Sequence, residues 1–555
     1  MKKKILIGIV LLLGVFIVYF NIRVRIENPK VDVTDLQSVK RLKVDTNFYS
    51  IKNNWLRKND KGLWEMYVEG TPIELGVFEG KLGKELIYNQ EEAFVSQMKQ
   101  IIPSDFYLHF LRYFIAWFNR DIDKHVIPRY QQEIYGVSLS TSDKFKVIAP
   151  PYQRMLNYHG AHDIGHALKD LAIVGCTSFI ANQNRNDSDM VVGRNFDFYI
   201  NDAFAKDKMI AFVTPDSGYQ FAYITWASMI GVVSGMNREG VTVTINAAKS
   251  DIPSEAKTPI SILTREILQF SSNIDEAIAI AKKREIFVSE SILVSSAKDD
   301  RAVIIEKSPT QMDVFSVNQS QMVSSNHYQG DLFKNEENNI KNIAESPSFY
   351  RQQRCGQLLS RFNDSLSVLD ASSVLRDTRG LDDADIGLGN EKAMNQLISH
   401  HSVIFLPKKL QIWVSTSPYQ LGDYLCYDLN TIFNMKQTPS KNQTLYIDSL
   451  TIPEDTLLHS KAYAGFVRMK EIKILINQAI ASDTKIANDQ VLMKELAISN
   501  PNYFYTYELI ANYWKHFENY NLAIANYKKA LTLEIANKSE ADRIEEALKE
   551  AEEHE

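Results

Sequence analysis

Short β-strand patterns over residues 170–414 constrain the fold of this chain more than any other feature. Segments 231–237 and 240–246 alternate β-branched residues around a glycine-containing turn, which is typical of two adjacent strands. Helical patterns occur in separate runs, such as 258–270, which opens with a threonine and a proline. Four more short strands and a closing hairpin are predicted at 291–296, 302–306, 312–317, 322–325, 403–406 and 410–414. The pattern predicts an α+β domain in which helices and antiparallel strands form separate layers.

The N-terminus differs in kind from the rest of the chain, whose 555 residues predict two or three folded units. An uncharged apolar run covers residues 5–20, after three lysines and before two arginines. The run is long for a signal-peptide core and short for a bilayer span of about 20 residues. Because no small-x-small cleavage pattern follows, residues 1–27 are expected to be an uncleaved signal anchor, with a cleaved signal peptide as the alternative. The body is then exported and anchored to the cytoplasmic membrane, facing the periplasm or the cell exterior.

Charge and cysteine content exclude two classes of protein. The net charge of −6 argues against a nucleic-acid partner. Three cysteines, Cys176, Cys355 and Cys426, are too few for a disulfide framework, so each needs its own explanation. Cys355 and Cys426 are expected to be inert.

Two segments before residue 140 differ in how strongly they are patterned. Residues 28–66 are weakly patterned and predict a spacer with a peripheral helix, followed by a strand-turn-helix transition over 70–80. Residues 91–135 predict helices with an aromatic stripe. We expect this stripe to be a buried helix face, with a membrane-facing or acyl-binding surface as the alternative. Its members are Phe106, Phe110, Tyr113, Phe114, Trp117 and Phe118.

Beyond residue 452 the pattern is helical to the end of the chain. One segment has the residue spacing of a single tetratricopeptide repeat, a helical hairpin with small residues where the helices cross. The residues that carry this spacing are Tyr507, Ile510, Ala511, Trp514, Ala523, Tyr527 and Ala530. A lone repeat has no neighbours to cover its faces, so it is expected to pack on the α+β domain, with 538–555 as a capping helix. A surface that recruits a protein partner is the alternative.

Cys176 lies in a segment that predicts a nucleophilic hairpin. A short apolar strand with a Gly175–Cys176 junction is followed by a polar turn and a second strand that carries Arg194 and Asp197. A lone cysteine on an apolar strand is more often a small core residue. The surrounding residues therefore decide the interpretation.

Four motifs occur in a fixed order along residues 70–414: Gly70-Thr-Pro, Gly175-Cys-Thr-Ser with Gly193-Arg-Asn-Phe-Asp, Gly235-Met-Asn with Gly240-Val and Asn246, and Ser324-Ser-Asn-His327. Together they resemble the penicillin acyltransferase-like family of N-terminal-nucleophile hydrolases, which is related to the bile salt hydrolases and, more distantly, to acid ceramidase. The resemblance implies a four-layer αββα sandwich. It also implies a folded leader at 28–175 that stays attached as a smaller subunit and a catalytic domain at 176–450. The helical pattern adds a helical region at 451–555.

The resemblance also implies a mechanism. Cleavage between Gly175 and Cys176 frees an α-amine on the residue that carries the thiol. Because an α-amine titrates near 7.7–8.0 and a thiol near 8.5, the two are matched for proton transfer around neutral pH. One residue then supplies both the nucleophile and the general base.

Matching motif positions assigns the supporting roles. Arg194 favours the thiolate and Asp197 holds the new amine, although the two residues can also form a structural ion pair. The oxyanion donors are the backbone amide of Asn246 and the side chain of Asn326, for which local strand-end caps are the alternative. Arg351 is assigned as a further site arginine, and its neighbour Arg354 is the other candidate.

Three histidines form a possible second site in the leader: His159, His162 and His166. Gly160 and Gly165 weaken a helix there, and no glutamate has the metalloprotease spacing. We predict no metal and no cofactor, and expect hydrogen bonding near the cleavage junction.

These observations predict a self-activated cysteine amidohydrolase or acyltransferase that acts on a small N-acyl amide or peptide-like amide through a Cys176 thioester. Export disfavours coenzyme A thioesters as donors. A non-catalytic exported scaffold that uses the C-terminal helices is the alternative, and a zinc hydrolase built on the histidines is a third hypothesis.

Overall fold

The computed structural model describes residues 2–101, 104–161, 163, 173–181, 189–249, 253, 255–317, 320–362, 365–435 and 437–555. His162 and His166 of the predicted histidine cluster lie outside these residues. The strands in chain order are β1 (Leu42–Asp45), β2 (Phe48–Ile51), β3 (Asn54–Lys58), β4 (Trp64–Gly70), β5 (Ile173–Val174), β6 (Thr177–Ala181), β7 (Val191–Phe196), β8 (Phe198–Tyr199), β9 (Met209–Pro215), β10 (Phe221–Thr225), β11 (Ser234–Asn237), β12 (Val241–Ala247), β13 (Glu290–Ser296), β14 (Arg301–Lys307), β15 (Met312–Phe315), β16 (Gln321–Ser324), β17 (His401–Leu406), β18 (Gln411–Ser415) and β19 (Tyr424–Asp428).

The α-helices occur before, between and after the strands. In chain order they are α1 (Lys2–Arg23), α2 (Thr34–Ser38), α3 (Pro72–Leu82), α4 (Lys84–Ile101), α5 (Asp105–Phe118), α6 (Pro128–Ser138), α7 (Pro151–His159), α8 (Asp202–Lys206), α9 (Ile260–Phe270), α10 (Ile274–Lys283), α11 (Glu337–Glu345), α12 (Ser348–Ser360), α13 (Val368–Leu375), α14 (Leu429–Phe433), α15 (Lys461–Ala481), α16 (Asp489–Ser499), α17 (Phe504–His516), α18 (Tyr520–Ala530) and α19 (Lys538–Glu553).

Two large sheets organise the strands. The first has eleven strands in the order β1-β2-β3-β4-β9-β10-β11-β12-β13-β14-β15, and the second has six in the order β16-β6-β7-β17-β18-β19. The predicted strands at 231–237 and 240–246 correspond to β11 and β12, which pair antiparallel. The predicted hairpin corresponds to β17 and β18. The mixed α/β class with C-terminal helices is therefore confirmed.

Strands from before and after Cys176 share the eleven-stranded sheet. β4 pairs in parallel with β9 over seven residue pairs, from Trp64 opposite Met209 to Gly70 opposite Pro215. The strand-turn-helix prediction for 70–80 agrees with the end of β4 and the start of α3. Thr71 and Glu74 form a capping box there, with Pro72 at the first helical position.

The prediction of a spacer with a peripheral helix over 28–66 is wrong in large part. The short helix α2 is present, but four strands occupy most of residues 42–70. The turns between β1, β2 and β3 place Asn47 and Lys52 at positive φ of 55° and 52°. Strands of four or five residues joined by such turns leave little periodicity to detect.

Apolar side chains of the two large sheets meet in one core cluster. It contains Phe212, Ile224 and Leu293 from the first sheet together with Val192, Val403 and Val414 from the second. A second cluster joins the first sheet to α3, α6, α9 and α10. A third joins the second sheet to α12 and α13.

The C-terminal helices pack on one another and on an irregular segment of the body. Leu397 and Leu421 share a core cluster with Phe466, Leu496 and Phe504. The Asn500 side chain accepts from the Leu388 amide at 3.1 Å and donates to the Leu388 carbonyl at 2.8 Å. The C-terminal helices therefore help to hold residues 386–397 in place.

Helix α1 extends from the body with its apolar side chains exposed. Within the described residues, Lys3–Arg23 is the one helix long and apolar enough to cross a bilayer, with a mean hydropathy of 2.8. A signal sequence has the same properties.

The prediction that the aromatic stripe of α5 is a buried face is wrong for most of its members. Phe118 is buried at 7% exposure. The side chain of Phe106 lies outside the described residues. The other four are exposed, at 57% for Phe110, 47% for Tyr113, 40% for Phe114 and 37% for Trp117. Periodicity shows which side of a helix is apolar, but it does not show what covers that side.

Candidate active site

Cys176 lies between β5 and β6, at the junction that the sequence singled out. Its thiol is buried, and Sγ lies 3.6 Å from Nη2 of Arg194 and 3.8 Å from the backbone oxygen of Asp197. Strand pairing sets this arrangement, because Ser178 of β6 is opposite Arg194 of β7. The structure thus brings three predicted site residues together.

The environment of Cys176 in the uncut chain opposes ionisation of the thiol. Burial raises its pKa to about 11, while the positive charges of Arg194 and Arg351 act in the opposite direction. The thiol is therefore protonated near neutral pH before any cleavage.

Arg194 is held by the backbone beneath the thiol. Its guanidinium donates to the carbonyl oxygens of Val233 at 3.1 Å and Ile245 at 2.6 Å, and to the Ser234 hydroxyl. It also lies 4.3 Å above the Phe196 ring. The hydrogen bonds of Arg194 go to carbonyls, a hydroxyl and the thiol. Arg194 is therefore not held mainly by an ion pair with Asp197.

Behind Arg194 lies a buried chain of hydrogen bonds that the sequence did not predict. The Ser234 hydroxyl accepts from Arg194 and lies within hydrogen-bond distance of Nε2 of His401, at 2.8 Å. Nδ1 of His401 in turn lies 2.9 Å from Nδ1 of His400, so one of the two rings donates to the other. Burial holds the pKa of His401 well below its usual range, so the ring is neutral.

Asp197 lies between β7 and β8, directly after Phe196, and its carboxyl is buried. The Ser399 hydroxyl donates to Oδ1, and the Gln396 amide donates to Oδ2 at 3.3 Å. The Asp197 backbone oxygen accepts from the Gly175 amide at 2.9 Å. Burial raises the pKa of Asp197 to about 7, against the opposing effect of the Ser399 hydrogen bond.

Gln396 is a site residue that the sequence analysis missed. Its Nε2 donates to the carbonyl oxygen of Gly175 at 2.7 Å. A Cβ added to Gly175 would lie 2.4 Å from Oε1 of Gln396, so the glycine permits this close approach. The two residues are 221 positions apart, and no local motif marks Gln396.

The two predicted oxyanion residues occupy neighbouring positions near β12. The Asn246 side chain donates to the Ser324 carbonyl at 2.8 Å and accepts from the Ser178 hydroxyl at 3.3 Å. The Asn246 side chain therefore links β12, β16 and β6. Its backbone amide is the group predicted to donate to the oxyanion. The Asn326 side chain donates to the Ala247 carbonyl at 2.9 Å.

The structure separates the two candidate arginines of α12. Nη2 of Arg351 donates to Oδ1 of Asn326 at 2.5 Å, and Nε donates to the hydroxyl of Thr177, the residue after Cys176, at 3.2 Å. Arg354 instead pairs with Asp377 at 2.9 Å and Asp383 at 2.8 Å. Arg351 therefore faces the site and Arg354 does not.

His159 has a structural position within the leader. Its Nδ1 lies 2.8 Å from the Met155 carbonyl, and its Nε2 accepts from the Ile230 amide at 3.1 Å. Burial lowers its pKa to about 4, so the ring is neutral. Among the residues that the structure describes, no group of three histidine, cysteine or acidic residues is placed to hold a metal ion.

An apolar cavity lies between helices α4 and α7 and the segment that follows β7. Its lining includes Phe94, Tyr158, Phe198, Phe204, Trp226 and Met229. The Trp226 and Phe198 rings stack on Phe196, two residues after Arg194, at 6.4 and 5.7 Å. The cavity is thus adjacent to the strand that carries the site.

Residues 183–416 match the family model of acyl-coenzyme A:6-aminopenicillanic acid acyl-transferase. The predicted family resemblance is confirmed. The residues matched to this acyl-transferase family include Arg194, Asp197, Asn246, Asn326 and Arg351, and they begin seven positions after Cys176.

Comparison with individual proteins gives relatives of the same kind. Over 222 residues the chain is 22% identical to N-acylethanolamine-hydrolyzing acid amidase from Caenorhabditis elegans. The alignment covers 38% of this chain and 59% of that relative, which is less than two thirds of its length.

Similar solved structures share only low identity with this chain. The Caenorhabditis elegans ortholog of N-acylethanolamine-hydrolyzing acid amidase is 17% identical, with a TM-score of 0.31 over 42% of this chain and 93% of the other. A variant of conjugated bile acid hydrolase from Clostridium perfringens is 14% identical, with a TM-score of 0.32 over 50% and 100%. Penicillin V acylase from Agrobacterium tumefaciens is 14% identical, with a TM-score of 0.33 over 46% and 86%.

Proposed function

We propose that this chain is an exported cysteine amidase of the N-terminal-nucleophile type that cuts itself between Gly175 and Cys176. It then hydrolyses a linear N-acyl amide through a thioester on Cys176. The observation that carries the proposal is the set of groups around one peptide bond: the Cys176 thiol with Arg194 beside it, and Gln396 donating to the Gly175 carbonyl.

Self-cleavage begins with addition of the Cys176 sulfur to the carbonyl carbon of Gly175. The oxygen gains negative charge, which Gln396 stabilises from 2.7 Å. The C–N bond then breaks, and the nitrogen of Cys176 takes up the proton that the thiol gave up and leaves as an amine. Water hydrolyses the resulting thioester, which releases the Gly175 carboxylate and regenerates the thiol.

The new α-amine serves as the general base for hydrolysis of the substrate. It accepts the thiol proton as sulfur attacks the substrate carbonyl, and it returns a proton to the leaving amine. The Asp197 carboxylate, held by Ser399 and Gln396, binds the ammonium form. Arg194 stabilises the thiolate.

The oxyanion of the substrate is stabilised by the backbone amide of Asn246 and the side chain of Asn326. An amide nitrogen carries two hydrogens, so Asn326 can donate to Ala247 and to an oxyanion at once. Arg351 binds Oδ1 of Asn326 and fixes which way the amide faces. Arg351 is therefore a positioning residue in this proposal.

The substrate is an amide with an apolar acyl group. The apolar cavity beside β7 supports this choice, and the relative named for N-acylethanolamine hydrolysis supports the same bond type. Because the chain is exported, water rather than a cytoplasmic coenzyme A thioester completes the reaction. Replacing Ala161, which lines the cavity, by phenylalanine should shift the preference toward shorter acyl groups.

The remaining organisation is part of the proposal. Residues 1–27 anchor the protein in the cytoplasmic membrane, 28–175 form the leader subunit, and 176–450 form an αββα catalytic domain. Residues 451–555 are a structural helical region. The shared core between the two large sheets and the helical clusters on their outer faces support this layering.

Denaturing electrophoresis and intact mass test the proposal. Two fragments, the second beginning at Cys176, are expected for the purified chain. They should hydrolyse members of a panel of N-acylethanolamines, N-acyl amino acids, penicillins and bile salts. A single uncut chain that hydrolyses none of them and does not react with thiol-directed amide analogues would instead indicate a scaffold.

A further inference from the structure

Four side chains form an exposed aromatic face on α5: Phe110, Tyr113, Phe114 and Trp117. Their spacing of three, four and seven residues from the first places them on one side of the helix. All are exposed by more than a third even with the rest of the chain in place. A contiguous apolar patch of this kind marks an interaction surface.

The C-terminal end of α5 is fixed to the folded body. Phe118 lies in the core and packs edge-on against Phe287 at 5.8 Å. The Phe118 carbonyl accepts from the Ala256 amide at 3.1 Å. The Asn119 side chain donates to that of Asn157 at 3.0 Å. The aromatic face is therefore held in one position by the body.

The same face contacts the end of the apolar helix α1. The Phe20 ring stacks on Trp117 at 5.7 Å and meets Tyr113 edge-on at 5.9 Å. Arg23 pairs with Asp121 at 2.5 Å, just beyond α5. With a rise of about 1.5 Å per residue, Phe20 lies about 4.5 Å inside the charged end of α1. The aromatic face is thus level with the last apolar turn of α1.

Cationic groups border the aromatic face. The Arg112 guanidinium lies 4.8 Å over the Tyr113 ring, and the Arg120 guanidinium lies 4.8 Å over the Trp117 ring. Tyrosine, tryptophan and arginine at the end of an apolar helix are typical of the level of lipid headgroups.

We propose that the aromatic face of α5 lies in the interfacial layer of the bilayer that α1 enters, and holds the catalytic body against the lipid. The occupant is lipid because α1 and α5 form one continuous apolar surface, and α1 has its apolar side chains exposed along its length. The inference rests on the proposed membrane attachment of α1 and is independent of the amidase chemistry.

Tryptophan fluorescence tests the position of α5 in the full chain. Trp117 is 37% exposed, whereas the other five tryptophans, Trp55, Trp64, Trp226, Trp413 and Trp514, are at most 9% exposed. In vesicles with lipids brominated at the upper acyl carbons, we expect quenching of the wild type and loss of most of that quenching in Trp117→Phe. Equal quenching in the two proteins overturns the inference, as does ready quenching of Trp117 by aqueous iodide.

A surface variant and its control separate lipid contact from other causes. Phe110→Ser combined with Phe114→Ser should reduce quenching by the brominated lipids and shift Trp117 emission to the red. Val491→Ser, at a 68% exposed apolar residue of α16, should change neither. Burial of Trp117 that depends on protein concentration and not on lipid would mean a second copy covers the face, which overturns the inference.

Carbonate extraction distinguishes this inference from the proposals it extends. Retention of the chain in membranes without Trp117 quenching overturns the role of α5 alone. Release of the chain together with absent quenching overturns both membrane proposals. Quenching as expected in a chain that stays uncut supports the role of α5 and counts only against the proposed chemistry.

Discussion

Nε2 of Gln396 donates to the carbonyl oxygen of Gly175 across 2.7 Å, and the same nitrogen lies 3.3 Å from the Asp197 carboxyl. One side chain thus contacts both the bond proposed to break and the group proposed to bind the amine that results. The irregular segment that carries Gln396 also supplies the Glu391 carbonyl to Arg351 at 3.1 Å. The segment therefore reaches the site at two points.

Gln396→Ala should slow the cut between Gly175 and Cys176. Loss of one preorganised donor to an oxyanion typically costs about 10²–10³ in rate, which is about 2.7–4 kcal/mol. The measurement is the fraction of cut chain against time by denaturing electrophoresis. Gln420→Ala, at a buried glutamine that donates to the Leu375 carbonyl, is the matched control and should cut at the wild-type rate. Wild-type cutting by Gln396→Ala would remove the residue from the mechanism.

Cys176→Ala should abolish both self-cleavage and amide hydrolysis, because it removes the proposed nucleophile. Cys355→Ala changes a buried thiol in the core beneath the second sheet and should leave cutting intact. The intact mass after denaturation shows whether each variant is one chain or two fragments. Two fragments from Cys176→Ala would show that another group breaks the chain.

Arg351→Lys should lower kcat/KM about 10- to 100-fold while the protein still folds. Lysine cannot reproduce the fork that holds Asn326 and Thr177, and hydrogen bonds of charged groups are worth about 1.5–3 kcal/mol. Arg354→Lys, on the same helix, should mainly lower the Tm because its partners are Asp377 and Asp383. The reverse pattern would mean that Arg354 is the site arginine.

Asp197 should make the uncut Cys176→Ala protein less stable as pH rises. Its pKa of about 7 in the folded chain lies above the ordinary value of about 3.9, so the folded state holds the proton more tightly. Its contribution is fully present below about pH 4 and is lost as pH rises through about 7. The slope reaches about 1.4 kcal/mol per pH unit for one proton.

Urea unfolding at a series of pH values measures this dependence. Asp197→Asn in the Cys176→Ala background should flatten the decline between about pH 4 and 7. Asp331→Asn, at a surface carboxyl paired with Lys334, should leave the decline unchanged. Curves that fall in parallel with and without Asp197 would contradict the assigned pKa.

Asn500→Ala should weaken the contact between the C-terminal helices and the segment that carries Gln396. It removes two hydrogen bonds to the Leu388 backbone, each of which costs about 1–3 kcal/mol when a buried group is left unpaired. We expect a lower Tm and slower self-cleavage. Asn526→Ala removes a hydrogen bond within its own helix and is the control. A lower Tm with wild-type cutting would limit the C-terminal helices to a stabilising role.

The sequence predicted most of the sheet strands after Cys176, because alternation and glycine turns are local signals. It also singled out the cluster of Cys176, Arg194 and Asp197, since a short hairpin brings nearby residues together. It missed Gln396 because only tertiary folding brings that residue to Gly175. It left Arg351 and Arg354 undecided because residues three apart on a helix lie close to the same side. It misjudged α5 because the covering of an apolar face is not a local property.

The parallel pairing of β4 with β9 decides what the proposed cut does to the particle. Seven residue pairs between these strands join the fragment that contains α1 to the fragment that contains Cys176. Breaking the covalent backbone leaves those residue pairs in place. Size-exclusion chromatography would therefore give one species, whereas boiling in detergent would give two. Detachment from the lipid would then require a denaturant, and a protease working at that bond would not achieve it.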